Sequence, residues 1–295
     1  MGHYHLESPR RIEVIEEQLA ASGIDGFLDF RLAPEAEIED IRRVHLIDTI
    51  EMVRDSTPEK LGDYHSIDGD TMLNMYSWLA ALRAAGAGIA ATDAVIAGEI
   101  SNAFCLVRPI GHHARADSPM GFCVFNNVAI AAKRALKVHG LERIAIVDID
   151  VHHGNGTDEA FAHDPRAMMV SFYQAPLYPY SGNERQRAHM VNVPVPAGTG
   201  GEAVRKLITD QWLPALHAHK PQMIFISAGF DAHLDDPLGD MELVEDDYTW
   251  ITQQIMAVAR EHANGRIVSF LEGGYNTSAL ARSVVAHVKA LAELN

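Results

Sequence analysis

Short apolar runs alternate along this chain with longer stretches of helical spacing. The runs Ala103–Val107, Arg143–Asp148, Ala167–Phe172, His189–Val193, Met223–Ser227 and Arg266–Leu271 show little of the apolar/polar alternation of a half-exposed strand; they read as strands buried on both faces. Between them lie Ser8–Ala21, Thr71–Ala97, Asn126–His139, Glu202–Ala218, Glu245–Glu261 and Ser278–Leu294, which carry helical apolar spacing and in several cases open on capping-type residues. This order predicts an α/β fold of three α/β/α layers around a mostly parallel sheet, and in such sheets ligands bind beyond the carboxyl ends of the strands.

One strand end concentrates chemistry. Ile144-Ala-Ile-Val-Asp148-Ile-Asp150-Val-His152-His153-Gly-Asn155-Gly delivers two carboxylates and two imidazoles to a glycine-bounded turn. Alternation along an extended chain turns Asp148, Asp150 and His152 one way and Ile149 and Val151 the other. Oxygen and imidazole donors suit zinc, which at a catalytic site takes three protein ligands and leaves a position for water. Capping of a neighbouring helix is the simpler reading of a single Asp. Four ligand-type residues in six positions favour a metal, because buried charges are rarely left without a partner. Three more predicted strands end in chemistry: Ala103–Val107 runs into Arg108-Pro-Ile-Gly-His112-His113, Met223–Ser227 into Ala-Gly-Phe-Asp231-Ala-His, and Arg266–Leu271 into Glu272-Gly-Gly-Tyr275.

Composition narrows the class. With 295 residues, 47% of them hydrophobic and 22% charged, the chain is expected to form a single domain over 1–295, with no linker, repeat or low-complexity tract to divide it. No apolar run approaching the ~18 residues of a membrane span is apparent, so no membrane partner is expected. The net charge of −16 argues against a nucleic-acid groove and would favour cationic substrates, although solubility alone accounts for it. His3 and His5 stand where a leader would carry a basic segment and an apolar core, and Cys105 and Cys123 are too few for a disulfide framework. A cytoplasmic location is expected.

The markers Glu7-Ser-Pro-Arg-Arg, Arg108-Pro-Ile-Gly-His-His-Ala, Gly121-Phe-Cys-Val-Phe-Asn-Asn, Asp148-Ile-Asp-Val-His-His-Gly-Asn-Gly-Thr, Ser227-Ala-Gly-Phe-Asp-Ala-His, Asp236-Pro-Leu-Gly and Glu272-Gly-Gly-Tyr-Asn together resemble the zinc-dependent histone deacetylase superfamily. The similarity runs from about Glu7 to the C-terminal helix and is closest to the class II-like bacterial deacetylases and acetylpolyamine amidohydrolases. It implies an arginase/deacetylase-like fold and hydrolysis of an N-acyl amine to a free amine and a carboxylate. The implied metal ligands are Asp150, His152 and Asp231, with zinc as the ion and ferrous iron as the alternative. His113 would shuttle the proton, His112 would be its electrostatic partner, and Tyr275 would donate to the substrate oxygen. Asp148 would accept from His112 and Asn155 would stand behind His113. A neutral Asn there implies a lower His113 pKa than an Asp would give. A structural potassium ion would fall on Asp148, Asp150, His152, Ser171 and Phe172, and the acyl-lysine tunnel on Gly121, Phe122, Tyr178 and Leu238.

Departures from the family bear on the substrate. The chain reaches Glu7 almost at once, where the family usually opens with a strand and a loop. Tyr173-Gln174 stands where many relatives have His, and Tyr180 replaces a smaller residue. Leu238 occupies the place where one eukaryotic branch carries a Glu that attracts polyamines, which counts against a dedicated polyamine enzyme. Asp68 and Asp70 read as a solvated acidic loop, with a rim carboxylate that anchors substrate as the alternative. The expected partner is an acylated lysine or a small acylated amine; self-association is left open. Two other functions stand beside this one. A binuclear manganese ureohydrolase would need further ligands where Asn155 and His233 stand, and a non-catalytic acyl-amine binder would need neither His113 nor Tyr275.

Overall fold

The computed structural model describes residues 1, 5–182 and 187–294; His3, read above with the N-terminus, lies outside them. Two short strands, β1 (His65–Ser66) and β2 (Met72–Leu73), pair antiparallel. The six predicted strands then follow as β3 (Asn102–Cys105), β4 (Ile144–Asp148), β5 (Ala167–Gln174), β6 (Met190–Val195), β7 (Ile224–Ala228) and β8 (Ile267–Leu271). They form one sheet in the order β3-β8-β7-β4-β5-β6, every pairing parallel. The helices are α1 (Arg10–Ala21), α2 (Ile38–Ile41), α3 (Ile47–Asp55), α4 (Ser77–Ala97), α5 (Asn127–Lys137), α6 (Asn155–Phe161), α7 (Gly201–Leu207), α8 (Leu213–His219), α9 (Glu245–His262) and α10 (Thr277–Leu291).

The apolar runs explain the layers. Ala145 and Val147 of β4 face a core shared with Ile15 of α1, Ile251 and Ile255 of α9 and Val284 of α10, whereas Ile144 and Ile146 face Ala84 of α4 and Val128 and Ala131 of α5. Every residue of β4, β5, β7 and β8 is buried, as strands covered on both sides must be. Connections leave β4 toward β5 and leave β7 toward β8, in opposite directions, so the adjacent β4 and β7 form the topological switch point where α/β sheets bind ligands.

Three predicted elements change. The helix expected from Thr71 begins at Ser77, because Met72 and Leu73 pair with β1 and the Asn74 side chain accepts from Tyr76 N–H at 2.9 Å in a turn that separates strand from helix. The helix expected over Glu202–Ala218 is interrupted by a π-turn at Ile208–Trp212, which ends two residues before Pro214; proline has no N–H to offer the carbonyl of Asp210. The glycine-bounded turn after His153 proves helical as α6. Gly156 is there for close approach, since a Cβ would lie 2.2 Å from the Ala114 carbonyl oxygen.

Contrary to the expectation above, α4 has the length and composition of a membrane span. Its small residues have another use: a Cβ on Gly86 would lie 2.0 Å from the Pro34 carbonyl oxygen, and one on Gly88 would lie 2.5 Å from the Phe270 ring. The helix packs on α5 and β3, with 56% of its apolar window buried.

His45 joins two of these pieces. Its Nδ1 lies 2.8 Å from the Arg115 carbonyl oxygen, and its Nε2 accepts the Asn126 N–H at 2.9 Å. Burial pushes its pKa down to about 4. A histidine depressed in the folded state takes its proton more readily when unfolded, so its contribution is present above the unfolded value near 6.5 and is lost as pH falls toward about 4. The loss is on the order of 3 kcal/mol. Melting temperature should therefore fall over that window, less steeply in His45→Gln; parallel curves for the two proteins would remove His45 as a cause.

Candidate active site

The ends of β4 and β7 bring the expected metal ligands together. Donor atoms of Asp150, His152 and Asp231 all lie within 4.8 Å of one another, and the three residues are buried. β4 itself stops at Asp148, so Asp150 and His152 belong to the loop beyond it rather than to the strand. His152 Nδ1 lies 2.9 Å from Asp150 Oδ1 and 3.1 Å from Asp231 Oδ2. The other oxygen of each carboxylate is fixed by backbone: Asp150 Oδ2 accepts from Gly273 N–H at 2.9 Å and Asp231 Oδ1 from Val151 N–H at 2.8 Å.

This donor set fits a divalent cation. Two carboxylate oxygens and one imidazole nitrogen converge, and among the described residues no Lys or Arg pairs with either carboxylate. Burial and the neighbouring Asp150 raise Asp231 to about 7, while His152, against the cost of burial, is held up to about 10 by its bonds to both carboxylates. Glycines make the room: a Cβ on Gly273 would lie 2.0 Å from Asp231 Oδ2, and one on Gly229 would lie 2.2 Å from Asp150 Oδ2.

The tandem histidines sit beside this cluster with opposite electrostatics. His112 places Nδ1 3.0 Å from Asp148 Oδ2 and Nε2 3.7 Å from Asp150 Oδ1; burial opposes its charge, but the two carboxylates outweigh burial and hold its pKa well above the ordinary value. His113 Nδ1 lies 2.8 Å from Asn155 Oδ1. Burial, then the charges on His112 and His152, push its pKa well below the ordinary value. Environments that drive two neighbouring imidazoles apart in this way separate a proton acceptor from a fixed charge.

Tyr275, 8% exposed, lies in the loop after β8. Its ring meets Phe122 at a centroid distance of 5.8 Å, and Tyr178 meets the His113 ring edge-on at 5.2 Å. Gly121, at φ +57°, lies between them: a Cβ there would lie 2.6 Å from the His113 ring and 3.0 Å from Tyr178. Phe122 also holds a left-handed backbone, at φ +66°. Leu238 is half-buried, and its N–H bonds Asp236 Oδ1 at 2.9 Å. Of the positions expected for a monovalent ion, Asp148 and Ser171 are side by side in the β4–β5 register, and buried Phe172 stacks its ring on Trp212.

Several residues without an expected role support the site. Glu272 Oε2 accepts the N–H groups of Gly111 and His112 at 2.8 and 3.1 Å. Asp236 Oδ2 accepts Tyr275 N–H at 2.6 Å. Arg11, fully buried, donates to the carbonyls of Gly274 (2.7 Å) and Glu272 and lies over the Tyr275 ring at 5.0 Å. Glu7 joins Arg11 to Arg108, whose Nε lies 2.6 Å away. Asp68 stands half-exposed in a loop with exposed Asp70, and it also accepts Gly121 N–H at 3.3 Å, while Thr71 Oγ1 accepts Phe122 N–H at 3.0 Å. On the opposite wall, His153 Nδ1 lies 2.8 Å from Ser181 Oγ, and Tyr173 donates to the Gly182 carbonyl at 2.9 Å, which fixes the loop carrying Tyr178. The signal for the first group was the motif context of Glu7, Asp236 and Glu272; for the loop ties there was none.

Comparison with known proteins agrees with this geometry. Residues 5–291 match the family model described as histone deacetylase domain. The chain is 39% identical over 270 residues to histone deacetylase 14, chloroplastic, of Arabidopsis thaliana, covering 87% of this chain and 64% of that protein. It is 39% identical to a histone deacetylase-like amidohydrolase of Pseudomonas aeruginosa (92% of this chain, 73% of that protein) and 40% identical to a probable deacetylase of Archaeoglobus fulgidus (92% and 77%). A solved structure, the HD domain of HDA15, superposes with a TM-score of 0.93 at 33% identity, covering 100% of this chain and 83% of that one. With the parallel sheet, the Asp/His cluster at its switch point and the tandem histidines beside it, these matches make the chain a member of the histone deacetylase family, a hydrolase of the deacetylase and amidohydrolase class.

Proposed function

We propose that this chain uses a zinc ion to hydrolyse the amide of an acylated lysine-like amine, acetyl being the simplest acyl group. The observation that supports it most directly is the convergence of Asp150, His152 and Asp231 beside two histidines of opposed pKa and a buried phenol. Ferrous iron would suit the same donors. A bound zinc would polarise the acyl carbonyl and make water a better nucleophile at neutral pH.

The protein groups supply the rest. The bond to Asn155 commits His113 Nδ1 as the protonated nitrogen, so Nε2 is the atom that accepts a proton from water. As the oxygen of that water joins the acyl carbon, Nε2 returns the proton to the amine nitrogen; the C–N bond breaks, and a carboxylate and a free amine leave. His112, held between Asp148 and Asp150, is the fixed positive charge beside the reacting atoms. The Tyr275 hydroxyl donates to the acyl oxygen as negative charge develops there. Phe122 and Tyr178 form flat walls for an aliphatic chain, and Gly121 leaves it room. A potassium ion on Asp148, Asp150, His152, Ser171 and Phe172 would stiffen the loop after β4.

A small acylated amine, such as an acetylated polyamine, is the second reading; it is favoured by the net charge of −16 and by Asp68 at the tunnel. The test is hydrolysis by zinc-loaded protein of an acetyl-lysine peptide, a trifluoroacetyl-lysine reporter, and N-acetylated putrescine and spermidine, ranked by kcat/KM. Peptide turnover supports the first reading, and preference for the small amines the second. Inertness toward all of them with zinc bound rejects both. Tyr275→Phe should lower kcat by roughly 10²- to 10³-fold with metal content unchanged; near-normal turnover would take the phenol out of the mechanism.

A further inference from the structure

We propose that the carboxyl ends of α8 and α9 carry a second divalent-metal site, formed by His217, Glu261 and His262 and suited to zinc. His217 Nδ1 lies 2.9 Å from His262 Nε2. The Glu261 carboxylate straddles the pair, with Oε2 3.4 Å from His217 Nδ1 and Oε1 3.4 Å from His262 Nε2. Zinc bonds imidazole nitrogen and carboxylate oxygen at about 2.0 to 2.2 Å, so two ligand atoms of a tetrahedral ion stand about 3.3 Å apart. The three observed separations bracket that value. Nothing in the catalytic reading uses these residues.

The surroundings favour a cation. His217 lies in the last turn of α8, and Glu261 and His262 end α9. Two helix carboxyl ends therefore converge on the cluster, each bringing the negative end of its dipole. His262 is 11% exposed, His217 41% and Glu261 60%, so the inner imidazole is anchored while the outer side leaves a fourth position open to water. His219, two residues beyond His217, bonds the carbonyl oxygen of Ile144 at the start of β4. The cluster is thus at the amino edge of the sheet, opposite the catalytic ends of the strands. An ion there would clasp the two helices whose chain leads into β7 and β8, the strands that run on into the loops carrying Asp231 and Tyr275.

Without an ion the same geometry is a hydrogen bond between two imidazoles, and the experiment separates the two cases. Chelator-treated protein is titrated with Zn²⁺ by calorimetry, and bound zinc is counted after dialysis. The expected result is about two zinc ions per chain in the native protein, roughly one in Asp231→Asn and none when His217→Gln is added. Zinc should raise the melting temperature of Asp231→Asn but not of the double variant. Cobalt loading of Asp231→Asn should give visible bands of a four-coordinate ion that His262→Gln abolishes. If Asp231→Asn does not fold, the native protein against His217→Gln reads the same difference of one ion, with deacetylase turnover unchanged. A native count of one, or a second ion that survives both histidine substitutions, would overturn the site.

Discussion

Asp231→Asn should lose its catalytic metal and lower kcat/KM by at least about 10³-fold, the several kcal/mol that a Lewis acid contributes to an acyl-transfer transition state. Its effect on stability should run the other way. Buried Asp231 is pushed up to about 7 chiefly by burial and by the charge on Asp150, with its bond to His152 acting the other way, so in the metal-free protein its charge is held against both. An amide keeps the shape and the bond to Val151 N–H while removing that repulsion. The metal-free variant is therefore expected to melt at or above the temperature of the metal-free native protein, and added zinc should stabilise it far less. Paired melting curves with and without zinc check this. A marked fall in the metal-free melting temperature would show that the charge of Asp231 is needed for folding itself.

Gly273→Ala should be nearly as damaging although it removes no chemical group. Its Cβ would lie 2.0 Å from Asp231 Oδ2 and 2.6 Å from Asp150 Oδ2, separations no real contact tolerates. Backbone φ at Gly273 lies outside the left-handed region, so the substitution acts through this contact and not through strain at the residue. Either the carboxylates rotate away or the loop carrying Tyr275 retreats, and a displacement of about 1 Å at a reacting centre costs on the order of 10²-fold. Metal affinity and turnover should fall together, measured by zinc competition and by kinetics. Turnover within a few-fold of native would mean that the loop yields without consequence.

How much of this was legible depended on how local the cause was. The six strands of the sheet could be read because burial on both faces leaves unbroken apolar runs such as Ile144–Val147. The metal-type residues could be read because parallel strands deliver them to one edge. Helix α6 was hidden because Gly154 and Gly156 look like turn residues, and only the fold reveals that Gly156 sits against the Ala114 carbonyl. The π-turn before α8 depends on Pro214, a signal present in the sequence but outweighed by the surrounding apolar period. The supports were harder still: motif context marks Glu272 and Asp236, but they and Arg11 act through backbone N–H and carbonyl groups far away in the chain, and side-chain pattern does not name such partners.

The buried arginine of α1 has a bearing on how the molecule is made. Arg11 reaches the carbonyl of Gly274, 263 positions later in the chain, and Glu7 reaches Arg108, 101 positions later. Loop closure over such separations is among the last steps available to a growing polypeptide. A nascent chain can therefore pair β4, β5 and β6 while Arg11 still waits for the carbonyls of Glu272 and Gly274. The loop that presents Tyr275 gains this support only once synthesis has passed β8, so the site is completed at the end of assembly and not gradually along it.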